Sequence, residues 1–229
     1  MKFASFFSLF FLLAGIALSA DEMRPATFDH PEEKERLGTR IEFPEVSKDM
    51  STIIHCYSQI STRGKMKESG CYQRDNPDMP FLIAFLKASK KATLTPAIIN
   101  GKARKIYLQF RIEFIAEGES RNIHFYLNPG YAENVEAYGY DHIAAQRVIG
   151  KESWQDRCPK RAGYQLIVRA FVGEDGRADS PSIQLAAGIL PTADCQNAIK
   201  DTILQSAFTP AFVDGVPVPS SFVERFGNF

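Results

Sequence analysis

From Ile106 the chain alternates: Ile106, Leu108, Phe110, Ile112 and Phe114 are apolar, while Tyr107, Gln109, Arg111 and Glu113 between them carry polar groups. A period of two is the signature of a strand with one buried face. Upstream, 51–60 is rich in strand formers, Ser61-Thr62-Arg63-Gly64 reads as a hairpin turn, and 65–72 returns. A turn cluster, Asp75-Asn76-Pro77-Asp78-Met79-Pro80, then opens a helix over 81–91. Its spacing places Phe81, Ala84, Phe85 and Ala88 on a buried face and Lys87, Lys90 and Lys91 in solvent, where lysines suit the negative end of the helix dipole. Leu94-Thr95-Pro96-Ala97 and the turn Asn100-Gly101 lead into the alternating strand. The order is β-β-α-β.

The same order recurs. A strand over 165–172, a turn Gly173-Glu174-Asp175-Gly176 and a return over 177–185 precede a helix over 192–206 with Thr192 as its N-cap. Ala198, Ile199, Ile203 and Leu204 form the apolar face of that helix. Phe208-Thr209-Pro210-Ala211, Asp214-Gly215 and a last strand through Phe222 to Phe226 complete the copy. Gly64 to Gly176 is 112 residues; Pro96 to Pro210 and Gly101 to Gly215 are each 114. Two extra residues in the second strand-to-helix loop account for the difference. The fold class expected is α+β, with two small antiparallel sheets, each packed on a helix.

The remaining stretches are assigned around these units. Residues 1–20 have Lys2, an apolar run over 3–18 and small residues before Asp21, the layout of a secretory signal peptide cut after Ala20. An uncleaved inner-membrane anchor is the alternative. Residues 21–46 carry eight acids and four bases and read as a solvated lead-in with a short helix near 29–37. The first unit is 47–115, an ordered connector 116–160, and the second unit 161–229. Within the connector, 122–127 extends the sheet, Asn128-Pro129-Gly130 breaks it, and 131–149 reads as a helix. Its stripe is Tyr131, Val135, Tyr138, His142 and Ala145, interrupted by Gly139.

Export makes the 4 cysteines candidates for disulfides. With the first hairpin turn centred between Arg63 and Gly64, Cys56 and Cys71 face each other across it, and a bond there contributes about 3 kcal/mol on the chain-entropy model. Cys158 and Cys195 are the second pair, tying the approach to the second unit to its helix start. The net charge of +0 excludes the basic excess of a general nucleic-acid binder. Charge is nevertheless uneven, with twelve Lys or Arg against five Asp or Glu over 48–115 and five against seven over 161–229. The basic first unit is either a solvated face or a surface for acidic headgroups, acidic glycans or the acidic lead-in. Catalytic, cofactor and metal sites are not indicated: His30, His55, His124 and His142 are scattered, and neither a GxSxG nor a phosphate-cradling loop occurs.

Val172-Gly173-Glu174-Asp175-Gly176-Arg177, Phe208-Thr209-Pro210-Ala211, Asp214-Gly215-Val216-Pro217-Val218 and Cys158-Pro159-Lys160-Arg161-Ala162 together resemble the TonB C-terminal domain family. The resemblance covers 161–229 well and 48–115 more weakly. It implies a periplasmic domain that takes an extended segment of an outer-membrane transport partner as an added strand. The edge so implied is the last strand, with Ser220, Ser221, Phe222, Val223, Glu224 and Arg225 as partner-binding residues. Pro217 and Pro219 cannot donate to a ladder, so they either delimit such pairing or block it. An energy-transducing member carries a membrane helix with a His and a Pro-rich spacer, and this chain has neither feature at the matching place. The function expected is a periplasmic protein-binding module. The alternatives are an anchored TonB-type energy transducer and a structural envelope protein that forms homo-oligomers.

Overall fold

The structure is a computed structural model and describes residues 23–73, 79–150, 152, 154–160 and 163–228. The signal peptide, the cut after Ala20, the turn residues Asp75–Asp78 and Arg161-Ala162 lie outside the described residues. The first half runs β1 (Met23–Arg24), a 3-10 turn (Glu33–Glu35), α1 (Leu37–Arg40), β2 (Met50–Ile60), β3 (Met66–Tyr72), α2 (Met79–Ser89), β4 (Ala97–Ile99), β5 (Lys102–Arg104) and β6 (Ile106–Glu117). β7 (Ser120–Tyr126) and α3 (Ala132–Tyr138) follow. The second half runs β8 (Gln146–Val148), α4 (Trp154–Arg157), β9 (Tyr164–Val172), β10 (Ala178–Gly188), α5 (Ala193–Gln205), β11 (Phe208–Thr209), β12 (Ala211–Val213), β13 (Val216–Val218) and β14 (Ser220–Asn228).

The chain is α+β, with helices packed on antiparallel sheets. β2 lies between β3 and β6, and β9 lies between β10 and β14. All of these pairs are antiparallel. Each half has its own core. The first gathers Ile54, Phe81, Phe85, Leu94, Phe110 and Phe114, and the second Leu166, Val168, Ile199, Ile203, Phe208 and Phe222. The alternating face of β6 is buried as expected from Ile106 to Phe114.

One contact explains why hairpin glycine and Thr-Pro-Ala corner recur together. Gly64 and Gly176 sit at φ 76° and 70°. In the first half the Leu94 amide donates to the Gly64 carbonyl at 2.9 Å; in the second the Phe208 amide donates to Gly176 at 3.0 Å. A Cβ on either glycine would overlap the carbonyl oxygen of its partner, Leu94 or Phe208. The turn thus docks on the chain just before the corner, and the backbone comes too close for any side chain. The halves also share a bulge in the return strand, with Glu68 and Ser180 both at φ 49°.

The lead-in is not solvated linker. Ala26, Leu37 and Ile41 are buried in the first core, with Phe28 and Phe43 packed against it. β1 adds to the small β4–β5 hairpin, pairing Arg24 with Ile98, and Thr27 bridges Thr95. The second half repeats this: Ile143 bridges Phe212, and Gln146 pairs with Thr209. The lead-in is therefore the start of the first repeat, and the connector's end is the start of the second. The two starts touch, because the Gln146 side-chain amide accepts from the Ala26 amide at 2.7 Å and donates to its carbonyl at 2.9 Å.

The long helix expected over 131–149 is only α3. Gly139, at φ 76°, ends it, and the chain turns to place β8 between β6 and β11. His142 and Ala145 are buried by that loop, not by a helical stripe. Leu204 is about half exposed, because α5 faces its core through Cys195, Ala198, Ile199 and Ile203. Both disulfides are formed as paired, Cys56–Cys71 across β2 and β3 and Cys158–Cys195 at the start of α5. They fit an oxidising compartment. Among the described residues, no helix is long and apolar enough to cross a membrane.

Candidate functional site

An edge strand offers a partner every second backbone N–H and C=O. β14 is an edge strand by pairing, since β9 is its sole strand neighbour among the described residues. Near its start, the outward amide of Ser221 and the carbonyls of Pro219, Ser221 and Val223 are already bonded within the chain. The Asn134 side chain on α3 accepts from the Ser221 amide at 3.0 Å and donates to the Ser221 carbonyl at 2.8 Å. Asn134 thus makes the pair of bonds that a partner strand would make there. Tyr138 donates to the Pro219 carbonyl at 2.6 Å. The Gln109 side-chain amide donates to the Val223 carbonyl, and the Tyr131 hydroxyl lies 3.2 Å from that oxygen. Burial raises the Tyr131 hydroxyl far above its ordinary pKa, so it remains a donor.

Five of the six residues expected to bind a partner are accordingly buried or half-buried against the rest of the chain, and Arg225 is exposed. Ser220, Phe222, Val223 and Glu224 are buried, and Ser221 is partly so. Arg225 stacks over the Tyr72 ring of the first repeat at 4.3 Å. Sequence reasoning gave α3 no such role. A single Asn on a short helix reads as solvent-exposed, and no spacing rule links it to a strand so far along the chain.

Glu224 belongs to a buried ionic junction between the repeats. Arg147 on β8 donates through Nε and Nη2 to its two carboxylate oxygens at 2.6 and 2.7 Å, and through Nη1 to Glu152 at 2.6 Å. Burial pushes the Glu224 carboxyl above its ordinary value, with Arg147 pulling the other way. Burial likewise disfavours the Arg147 charge, but the two carboxylates outweigh it and hold the guanidinium firmly protonated. β8 pairs with β6 on one side and β11 on the other, so this arginine sits where the two halves are stitched together.

β10 is the opposite case. It ends its sheet, and among the described residues no strand pairs with its outer side. From Ser180 to Leu190 it carries no charged side chain. Leu185 is 36% exposed, and Ile189 and Leu190 just beyond it are more so. Pro181 and the bulge at Ser180 interrupt the ladder at one end, leaving Ser182–Gly188 regular but for a shift near Ala186. Natural edges are blunted by charge, cover, proline or a bulge; Pro181 and the Ser180 bulge blunt one end of this one, while Ser182–Gly188 has neither charge nor cover. Its counterpart β3 is shorter and carries Lys67 and Glu68.

The histidines remain apart: His55 stacks on Tyr72, His142 is buried beside Tyr138, and His124 lies opposite Glu113 across β6 and β7. Comparison of the chain with protein-family models, with curated proteins and with solved structures finds no match.

Proposed function

We propose that the chain is an exported, periplasmic binding module of two TonB-C-like units, that it is not an enzyme, and that it takes an extended segment of an envelope or outer-membrane partner as an added strand. The observation that carries this reading is the contrast between the two edges of the second sheet. The edge of β14 is closed by Asn134, Tyr131, Tyr138 and Gln109. From Ser182 to Gly188 the edge of β10 is uncharged and unpaired among the described residues, with Leu185, Ile189 and Leu190 exposed along it. Backbone groups along Ser182–Gly188 supply the hydrogen bonds, and the alternate side chains supply selectivity. The site therefore shifts from Ser220–Arg225 to β10.

A photoreactive amino acid placed at Gln184 in cells exporting the protein tests this. The expected result is one discrete adduct whose partner peptide maps to a non-helical segment of an envelope protein. The same group at Ser221 is expected to give none. An adduct from Ser221 but not Gln184 would return the site to β14. An adduct of twice the chain's mass would make the added strand a second copy and sink the envelope partner.

A further inference from the structure

The outward side of α2 is unlike the exposed side of an ordinary surface helix. At 100° per residue, Met79, Ile83, Leu86 and then Lys90 fall on one stripe. The three apolar side chains are 55%, 42% and 37% exposed. Phe81, Leu82, Phe85 and Ala88 fill the core side. The helix is thus apolar nearly all round, a pattern that belongs to buried helices, yet one side is open. Lys87, Lys90 and Lys91 rim that side and make no ion pair among the described residues. A groove of about 850 Å³ separates α2 from the 40–45 segment, with Phe43, Pro44 and Ile83 on its walls. Arg40 across the groove is held by Glu35 at 2.9 Å, and Glu42 and Glu45 are the acids facing the lysines.

We propose that this face docks the protein on an anionic bilayer surface. Met79, Ile83 and Leu86 enter the headgroup boundary, and Lys87, Lys90 and Lys91 meet the anionic headgroups. A lipid surface fits better than a protein partner for two reasons. A ridge of three side chains falls short of the roughly 800 Å² per side that a stable protein interface buries. Lysines on long flexible stems also match a diffuse sheet of charge better than a fixed set of carboxylates. The sequence signal was already visible as the basic excess of the first half, which the exposed apolar stripe now localises. Docking through α2 is independent of the β10 edge, which belongs to the other repeat.

Co-sedimentation of the mature chain with vesicles tests it. Binding is expected to phosphatidylglycerol–phosphatidylcholine vesicles at low salt, with little to phosphatidylcholine alone, and with loss in high salt. Each lysine contributes about a fivefold factor, so Lys87→Gln/Lys90→Gln/Lys91→Gln should lower partitioning on the order of a hundredfold. All three lysines are exposed, so this variant keeps the fold. Ile83→Gln/Leu86→Gln should lower partitioning by about tenfold or more with the thermal melt checked in parallel. Lys200→Gln, on α5 in the other half of the chain, should leave vesicle binding unchanged. Equal binding to both vesicle types, absence of binding at low salt, or full retention in the triple-lysine variant would each overturn the proposal.

Discussion

Arg147→Met is expected to lower unfolding free energy by about 3–5 kcal/mol at neutral pH, the range for removing one partner of a buried ion pair. Arg147 and Glu224 are both almost wholly buried, and Glu152 is close by. Without the guanidinium, two carboxylates face each other in a dry junction with nothing to offset their charge. The loss should be pH-dependent, and its sign follows from linkage. Burial already holds the Glu224 carboxyl above its ordinary value, and Arg147 is the group that pulls it down. Removing Arg147 raises the folded-state value further above the unfolded one, so the folded variant binds the extra proton. Stability should therefore be recovered as pH falls below the folded value towards the unfolded one near ~4.3, and lost again as pH rises. Arg147→Met/Glu224→Leu should recover most of the loss at neutral pH, since an apolar pair of similar volume replaces the ionic one. Urea unfolding at two pH values measures all of this. A loss that does not vary with pH, or a double variant no better than the single, would mean the junction is not held by its charges.

Removing the second disulfide is expected to cost more than removing the first. Cys158 and Cys195 are 37 residues apart and Cys56 and Cys71 are 15. The chain-entropy model gives about 4 kcal/mol for the longer loop and about 3 kcal/mol for the shorter. The local setting points the same way. α5 meets its core through few side chains, Cys195 among them, and the Cys195 amide donates to its N-cap Thr192 at 3.4 Å. Cys56–Cys71, by contrast, joins strands whose register is also fixed by β6 on the other side of β2. Cys158→Ala/Cys195→Ala should thus melt well below Cys56→Ala/Cys71→Ala by calorimetry. The reverse order would show that the first repeat, not the second, depends on its crosslink.

The parts of this fold legible in the sequence are those carried by local chemistry. β6 declares itself by alternation, the hairpins by Gly64 and Gly176, and the terminal turns by Asn100-Gly101 and Asp214-Gly215, each with its first residue at positive φ. The Cys56–Cys71 pairing followed from hairpin symmetry, and Cys158–Cys195 was the candidate left for the second unit. Hidden were the elements too short to have a period. β1 has two residues and β8 three, so neither the lead-in nor Gln146 and Arg147 showed that they start equivalent repeats. Hidden too was the closure of the β14 edge. It depends on where α3 lands after Gly139 ends it, and a buried Asn134 is distinguishable from a solvated one solely by its partner. Which edge is free is a tertiary fact.

Residue-resolved amide hydrogen exchange on the free protein tests the difference between the two edges most directly. The Ser221 amide, held by Asn134, is expected to exchange as slowly as the paired amides of β9. The alternate, outward amides of Ser182–Gly188 are expected to exchange fast. Slow exchange throughout β10, or a fast Ser221 amide, would contradict that difference.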